Sequence, residues 1–136
     1  MQKRQLGKSG LNVTIITFGC WQAGKESWTG VTDENSIATM RAALDAGINF
    51  FDTAEAYGNG HSETILAEAL AGRRDEVLIA TKTNSLSASG IREACEKSLE
   101  RLKTDRSDLY QIHWPSGTWG GDIIQIEEKM GALLKL

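Results

Sequence analysis

Four polar residues have the types and spacing expected of one chemical site. Asp52, Lys82 and His113 are 30 and 31 residues apart, and Tyr57 follows Asp52 by five residues. An aspartate and a lysine can pair, which lowers the cost of burying either charge. A lysine near a tyrosine hydroxyl favours the phenolate and lowers the pKa of the phenol, and a nearby histidine can donate a hydrogen bond to the same substrate atom. Together they would provide a proton donor and a polar pocket for a carbonyl oxygen.

Alternating strands and helices are predicted to position these residues. Short apolar runs bounded by polar or glycine residues predict buried strands at 14–21, 48–54, 76–82 and 109–114. Each run is followed by apolar residues at helical spacing: Ile37, Met40, Leu44; Ile65, Leu66, Ala69, Leu70; Ile91, Ala94, Cys95, Leu99, Leu102; and Ile126, Met130, Leu133, Leu134. The segment before the first strand, with Gly7 and Gly10, could form a hairpin.

This β-α alternation predicts an α/β fold with a parallel sheet and right-handed crossovers. Asp52, Lys82 and His113 would then lie at the carboxyl edge of neighbouring strands, where α/β proteins bind ligands. A single polar residue at a strand end is more often a solvated loop residue, but four that converge indicate a site. An open sheet and a (β/α)8 barrel are the competing architectures, and a whole barrel needs about 250 residues. Four strands cannot close such a barrel alone, so either the chain is a fragment, or two copies combine, or the sheet is open.

The bulk composition excludes several classes of protein. The chain has 136 residues, 40% hydrophobic and 24% charged, with a net charge of −3 and no basic run. We therefore expect one domain over 1–136 and neither nucleic acid nor membrane as a partner. The N-terminus lacks the apolar core of a signal peptide. Cys20 and Cys95 are far apart and form no zinc motif, so we expect no metal site and a cytoplasmic location.

Three segments of the chain resemble the aldo-keto reductase family. They are "FFDTAEAYGNGHSE" (50–63), "IATK" (79–82) and "DLYQIHWP" (108–115), and the order and spacing of Asp52, Tyr57, Lys82 and His113 match the family's catalytic tetrad. The resemblance extends from "LGKSGLNV" near the N-terminus to "IEEKMGALLKL" at the C-terminus. It implies the TIM-barrel type of fold, (β/α)8, present here as about four β/α units after an N-terminal hairpin.

The resemblance also implies a reaction. Hydride from NADP(H) would reduce a small-molecule aldehyde or ketone, with Tyr57 as the proton donor. Lys82 would lower the pKa of Tyr57, Asp52 would hold Lys82, and His113 would orient the carbonyl. The remaining site residues that it implies are, for the cofactor, Gly19, Cys20, Trp21 and Asp52, and for the substrate, Trp21, His113 and Trp114. The two tryptophans could equally pack loops against the barrel mouth.

Two alternatives remain at this stage. In the family most of the cofactor site lies in the second half of the barrel, so these 136 residues would carry the tetrad without most of that site. The chain could then be a non-catalytic interaction module that self-associates through an open half-barrel edge. An open-sheet nucleotide binder is the other alternative. "GNGHSE" (58–63) partly matches a dinucleotide fingerprint, but Glu63 replaces the third glycine, so a tight turn is the expected structure.

Overall fold

A computed structural model describes residues 1–85, 87–116 and 126–136. The chain begins with an antiparallel hairpin of β1 (Lys3–Gln5) and β2 (Asn12–Thr14). Gly7 and Gly10 in its turn have φ of 55° and 80°, which glycine adopts without steric cost. The predicted hairpin is therefore present.

A four-stranded parallel sheet follows the hairpin, in the order β3-β4-β5-β6. Its strands are β3 (Phe18–Gly19), β4 (Phe50–Asp52), β5 (Leu78–Thr83) and β6 (Leu109–Ile112). The first strand predicted, 14–21, is divided in the structure. Thr14 ends the hairpin, whereas Trp21 begins a 3-10 helix, so only two residues of that apolar run join the parallel sheet.

Helices alternate with these strands, as the apolar spacing predicts. They are the 3-10 helices Trp21–Gly24 and Arg74–Glu76, and α1 (Asp33–Asp45), α2 (His61–Ala69), α3 (Ala88–Leu102) and α4 (Ile126–Leu133). The side chain of Thr32 caps α1 by accepting a hydrogen bond from the backbone N–H of Asn35 at 3.2 Å. None of the helices in the described parts of the chain is long and apolar enough to cross a bilayer.

The two faces of the sheet pack against different parts of the chain. Phe51 and Ile79 belong to a buried cluster with Met40 of α1 and Leu66 of α2. Their neighbours Phe50 and Ala80 belong to a second cluster with Val13 of the hairpin. Because side chains alternate along a strand, Asp52 and Lys82 share the hairpin face with Phe50 and Ala80. We call this the inner face.

The last helix presents a different face from the one predicted. Met130 and Leu134, expected in the apolar stripe, are 46% and 85% exposed. Lys129 is instead buried, and its Nζ donates a hydrogen bond to the carbonyl of Pro115 at 3.0 Å. The helix packs on α3 and β6. Leu133 of the predicted stripe is half-buried, so the described part of the helix buries its apolar stripe only in part and Lys129 beside it.

Candidate active site

Lys82 lies at the centre of the polar cluster. Its Nζ lies 2.8 Å from Oδ2 of Asp52, 2.7 Å from the carbonyl oxygen of Thr53 and 3.4 Å from the hydroxyl of Tyr57. An ammonium has three N–H donors, and these three acceptors can use all of them. The side chain is only 14% exposed, and that of Asp52 is 32% exposed. The partly buried ion pair is therefore held in one geometry.

The strand register explains how these two residues meet. β4 and β5 are parallel, and Asp52 lies beside Ala80. Lys82 is two residues further along β5 on the same face, so its long side chain reaches back to the carboxylate. β6 continues the pattern. Lys82 lies beside Gln111 in the β5–β6 register, so Gln111 is on the inner face and His113, two residues later, is on it too.

Tyr57 reaches the cluster from the loop after β4. Its backbone N–H donates to the carbonyl of Ala54 at 3.1 Å, which closes a turn. The Nζ of Lys82 lies 5.0 Å from the centroid of the Tyr57 ring. This position brings the phenol hydroxyl and the ammonium together on the pocket side of the sheet.

His113 forms the far wall beyond Tyr57. The two ring centroids are 5.5 Å apart at an interplanar angle of 80°, and the Trp114 indole stacks on the imidazole at 5.4 Å and 9°. Burial, and then the positive charge of Lys82, lower the pKa of His113 below its ordinary value. The imidazole is therefore neutral at neutral pH, with one ring nitrogen able to donate a hydrogen bond.

A cavity of about 610 Å³ opens above these groups. Its lining includes Tyr57, Lys82 and His113, with the Trp21 indole on one side and the Trp114 indole on another. The volume lies within the range of about 300–1,000 Å³ typical of small-molecule sites. The apolar walls around a few polar atoms suit a small, largely uncharged compound.

The residues predicted at the site do not all lie at this cavity. Asp52, Tyr57, Lys82, His113, Trp21 and Trp114 are gathered at it or directly beneath it. Gly19 and Cys20 instead line a groove of about 490 Å³ beside β3. The Cys20 side chain is 1% exposed, and burial raises its thiol pKa well above the ordinary value, so this thiol is not a ready nucleophile.

Four lining residues were not predicted from the sequence: the apolar Ala56 and Ile112, and the polar Glu26 and Gln111. Gln111 precedes His113 by two residues on the inner face, and alternation along β6 could have identified it. Glu26 belongs to the segment after the first 3-10 helix, and no sequence signal places it at the cavity. Gln111 and Glu26 add hydrogen-bonding groups to the lining of the pocket.

A parallel β/α sheet with an Asp–Lys–Tyr–His cluster at its carboxyl edge has the arrangement of an α/β enzyme's ligand site. Comparison with known proteins gives the particular family. The model of the Aldo/keto reductase family matches residues 15–136, and the chain belongs to that family.

The curated relatives agree with this family. The aldo-keto reductase YhdN of Bacillus subtilis is 40% identical over 100% of this chain and 43% of its own length. The methylglyoxal reductase YeaE of Escherichia coli is 35% identical over 100% of this chain and 46% of its own length. The chain thus spans less than half the length of these relatives.

Solved structures show the same relationship. The holo form of aldo-keto reductase AKR11C1 from Bacillus halodurans superposes with a TM-score of 0.85 and 37% identity, over 100% of this chain and 46% of that one. An aldo-keto reductase from Klebsiella pneumoniae, solved in complex with NADPH, gives a TM-score of 0.82 at 31% identity, with the same coverage. These neighbours are (β/α)8 barrels, which confirms the predicted barrel type and not the open sheet.

Proposed function

We propose that this chain carries the proton-donating half of an NADP(H)-dependent aldo-keto reductase, which reduces small aldehydes or ketones to alcohols. The main support is that the Lys82 ammonium contacts both the Asp52 carboxylate and the Tyr57 hydroxyl beneath one cavity. An ion pair that only stabilised the fold would need no phenol hydroxyl beside it. A phenol held 3.4 Å from an ammonium, at the floor of a pocket, is suited to giving up a proton.

Each residue has a separate part in this reaction. Tyr57 would donate its proton to the alkoxide oxygen that develops as a carbonyl is reduced. Lys82 would stabilise the phenolate left on Tyr57, and Asp52 holds the Lys82 ammonium in place through the 2.8 Å ion pair. His113, neutral at the pocket wall, would donate a hydrogen bond to the carbonyl oxygen and orient the carbonyl. Trp21 and Trp114 would exclude water from the reacting centre.

The residues around the cavity fit a nicotinamide cofactor in part. The family implies that NADP(H), when bound, supplies the hydride. The pocket between Trp21, Tyr57 and His113 has room for a flat ring beside a small carbonyl compound. Asp52 and Trp21 would contact the cofactor at the pocket, and Gly19 and Cys20 would contribute backbone atoms beside β3. The complex of the Klebsiella pneumoniae neighbour with NADPH supports this cofactor.

A pair of tyrosine variants tests the proposal in the polypeptide that the gene encodes. NADPH consumption with methylglyoxal, the substrate in the name of the Escherichia coli relative, should occur in the unaltered protein. Tyr57→Phe should lower kcat by about 10²–10⁴-fold, because general acid catalysis contributes that much. NADPH affinity, measured by fluorescence titration, should change little. Unchanged turnover in Tyr57→Phe would remove the proposed proton donor.

Tyr110→Phe is the matched control. Tyr110 is the other tyrosine of the chain and lies on β6 between the inner-face residues Leu109 and Gln111. It does not line the cavity. The same loss of one hydroxyl should therefore leave kcat within about twofold of the unaltered protein, since no group at the reacting centre is removed.

Self-association of the 136-residue chain is a second candidate. In the described part of the sheet, β3 and β6 each have one strand neighbour. Ile15 and Ile16, next to β3, are 50% and 53% exposed, and an unpaired strand beside apolar side chains favours association. Light scattering after size exclusion should show a dimer of the 136-residue chain, and Ile16→Glu should weaken that dimer. A stable monomer at every concentration would contradict it.

A further inference from the structure

The segment Gly58–Glu63, "GNGHSE", forms a turn and not a phosphate cradle. The N–H of His61 donates to the carbonyl of Gly58 at 3.1 Å, and the N–H of Ser62 donates to the carbonyl of Tyr57 at 3.2 Å. These amides, which a phosphate-binding loop would present to its ligand, are used inside the turn. The segment instead contacts other parts of the chain: Gly58 lies against Gly24, Ser62 against Cys20 and His61 against Asp33.

Gly58 crosses Gly24 at a distance that excludes any side chain. A Cβ on Gly24 would lie 2.7 Å from the backbone nitrogen of Gly58 and 2.7 Å from the carbonyl carbon of Tyr57. A Cβ on Gly58 would lie 2.3 Å from the carbonyl oxygen of Gly24. Gly24 ends the 3-10 helix that begins with Trp21. The backbone beside Tyr57 therefore rests directly on the backbone of the Trp21 segment.

A buried hydroxyl pair ties the same two segments together. The Ser62 hydroxyl is fully buried and donates to the carbonyl of Cys20 at 2.7 Å. Its oxygen lies 3.0 Å from the Thr53 hydroxyl. A hydroxyl has one proton, so Thr53 donates to Ser62. The contacts form a chain from Thr53, the residue after β4, through Ser62 of α2 to Cys20, the residue before Trp21.

An ion-pair cluster joins the same two segments at the protein surface. Asp33, the first residue of α1, accepts from Lys25 at 2.8 Å and from His61 at 2.7 Å. These two hydrogen bonds, that of Lys25 first, hold the pKa of Asp33 below its ordinary value. The three side chains are 33–40% exposed, so the pair adds little stability. It does link Lys25, the residue after Gly24, to His61 in the turn that follows Tyr57.

We propose that Gly24, Gly58, Ser62 and Asp33, here called the loop clamp, are positioning residues for Tyr57. The proposal rests on the proposed function, in which Tyr57 is the proton donor. Tyr57 lies in a loop, and its hydroxyl must stay near Lys82 while its ring, 6.2 Å from the Trp21 ring, forms part of the pocket wall. The close crossing at Gly24 removes the space into which that loop could retreat.

Gly24→Ala tests the crossing. Gly24 does not have a positive φ, so alanine adds a methyl group and no backbone strain. That methyl meets backbone atoms, which cannot swing aside as a flexible side chain can. A misplacement of the donor by about 1 Å can cost up to 10²-fold in rate, so we expect kcat to fall about tenfold or more. NADPH affinity should change less than twofold, and the solvent deuterium isotope effect on kcat should rise as proton transfer becomes slower.

Gly131→Ala is the matched control. Gly131 lies in α4 away from the cavity, and a Cβ there meets nothing within 4 Å. The same chemical change should leave kcat and the isotope effect unaltered. If Gly24→Ala also leaves kcat unaltered, or lowers stability and NADPH affinity together with kcat at an unchanged isotope effect, the positioning role is overturned.

A milder variant serves if Gly24→Ala does not fold. Asp33→Asn breaks the ion pair to Lys25 and His61, and its control Asp45→Asn breaks the exposed pair to Arg73 at the other end of α1. We expect Asp33→Asn, but not Asp45→Asn, to lower kcat by about threefold. The reason is that it weakens one of the three contacts that hold the Tyr57 loop. Equal kcat in the two variants would contradict the clamp.

The failure of the clamp and the failure of the proposed function can be told apart. If the unaltered protein reduces no carbonyl compound, the proposed function fails. The contact between Gly24 and the Tyr57 loop is then tested by NMR. Gly24→Ala should then shift the backbone amide resonances of Tyr57 and Gly58, while Gly131→Ala should not. Unmoved resonances would overturn the clamp whatever the activity of the protein.

Discussion

Lys82 and Asp52, 30 residues apart in the sequence, form a 2.8 Å ion pair on the inner face of the sheet. Each side chain is at least two-thirds buried, and the ammonium also contacts the carbonyl of Thr53 and the hydroxyl of Tyr57. The pair thus links β4 to β5 and also positions the ammonium that contacts the proposed proton donor, Tyr57.

Removal of the Asp52 charge should lower the stability of the fold. Asp52→Asn leaves the Lys82 ammonium, 14% exposed, without its anionic partner. We expect the free energy of unfolding to fall by about 1–2 kcal/mol, because an amide oxygen replaces only part of a charge-assisted hydrogen bond. Urea unfolding measures this change. Asp45→Asn, at a carboxylate that is 65% exposed, should cost less than about 0.5 kcal/mol, and equal losses would contradict the role of burial.

A second ion pair behind the site should be more sensitive. Glu63 is fully buried, with one carboxylate oxygen 2.6 Å from the Thr81 hydroxyl and the other 2.6 Å from Nε of Arg101. Glu63→Gln would place an amide N–H against one of these donors. The loss should be about 3 kcal/mol, at the lower end for a broken buried pair because Arg101 is 28% exposed and can be hydrated.

The control for that variant lies on the same helix. Glu68→Gln makes the same chemical change at an exposed position of α2. It should alter the free energy of unfolding by less than about 0.5 kcal/mol. Chemical denaturation of both variants in parallel separates burial from helix propensity, and similar losses in the two would show that the Glu63 network is not stabilising.

The depressed pKa of His113 predicts a loss of stability in mild acid. Burial and then Lys82 lower this pKa, so the unfolded chain, with a histidine pKa near 6.5, binds a proton at a pH where the folded chain does not. Stability associated with His113 is therefore complete above about pH 6.5 and falls as the pH drops from there towards the lower, folded-state pKa. Urea unfolding at about pH 7.5 and about pH 5.5 should show this fall. His113→Gln should show a smaller fall, and an equal one would contradict the prediction.

The two cysteines should differ in reactivity. Cys20 is 1% exposed, and burial followed by the charge of Asp52 raises its thiol pKa. Cys95 is partly exposed, with a thiol pKa raised by burial and then by Glu96. Iodoacetamide should modify Cys95 first in the native protein and both thiols in urea, with the sites mapped by mass spectrometry. Faster modification of Cys20 would show that the groove beside β3 opens.

Much of the fold could be predicted because buried parallel strands and amphipathic helices have different periods. The apolar residues at 65, 66, 69 and 70 are all buried, as their helical spacing predicts. Strand limits were less accurate, since hydrogen-bonded pairing decides where a strand ends. The apolar run that contains Thr14 and Trp21 shows this, because it divides between a hairpin and a 3-10 helix.

The candidate site was predictable in its members more than in its surroundings. Asp52, Lys82 and His113 recur once per β/α unit, and the parallel register brings them to one edge. Gln111 could have been identified by alternation counted back from His113, whereas Glu26 could not, because its position depends on the path of a loop. The single domain over 1–136 and the functional roles of the site residues stay predictions.

The sequence by itself determined the order of strands and helices and the four polar residues, because local periodicity and spacing are written along the chain. Only the tertiary structure decided that Gly24 crosses Gly58 and that Lys129, not Met130, turns inward. These contacts join segments that are far apart or depend on a helix's rotation by one residue. Their free energy comes from neighbours that exist only once the chain is packed.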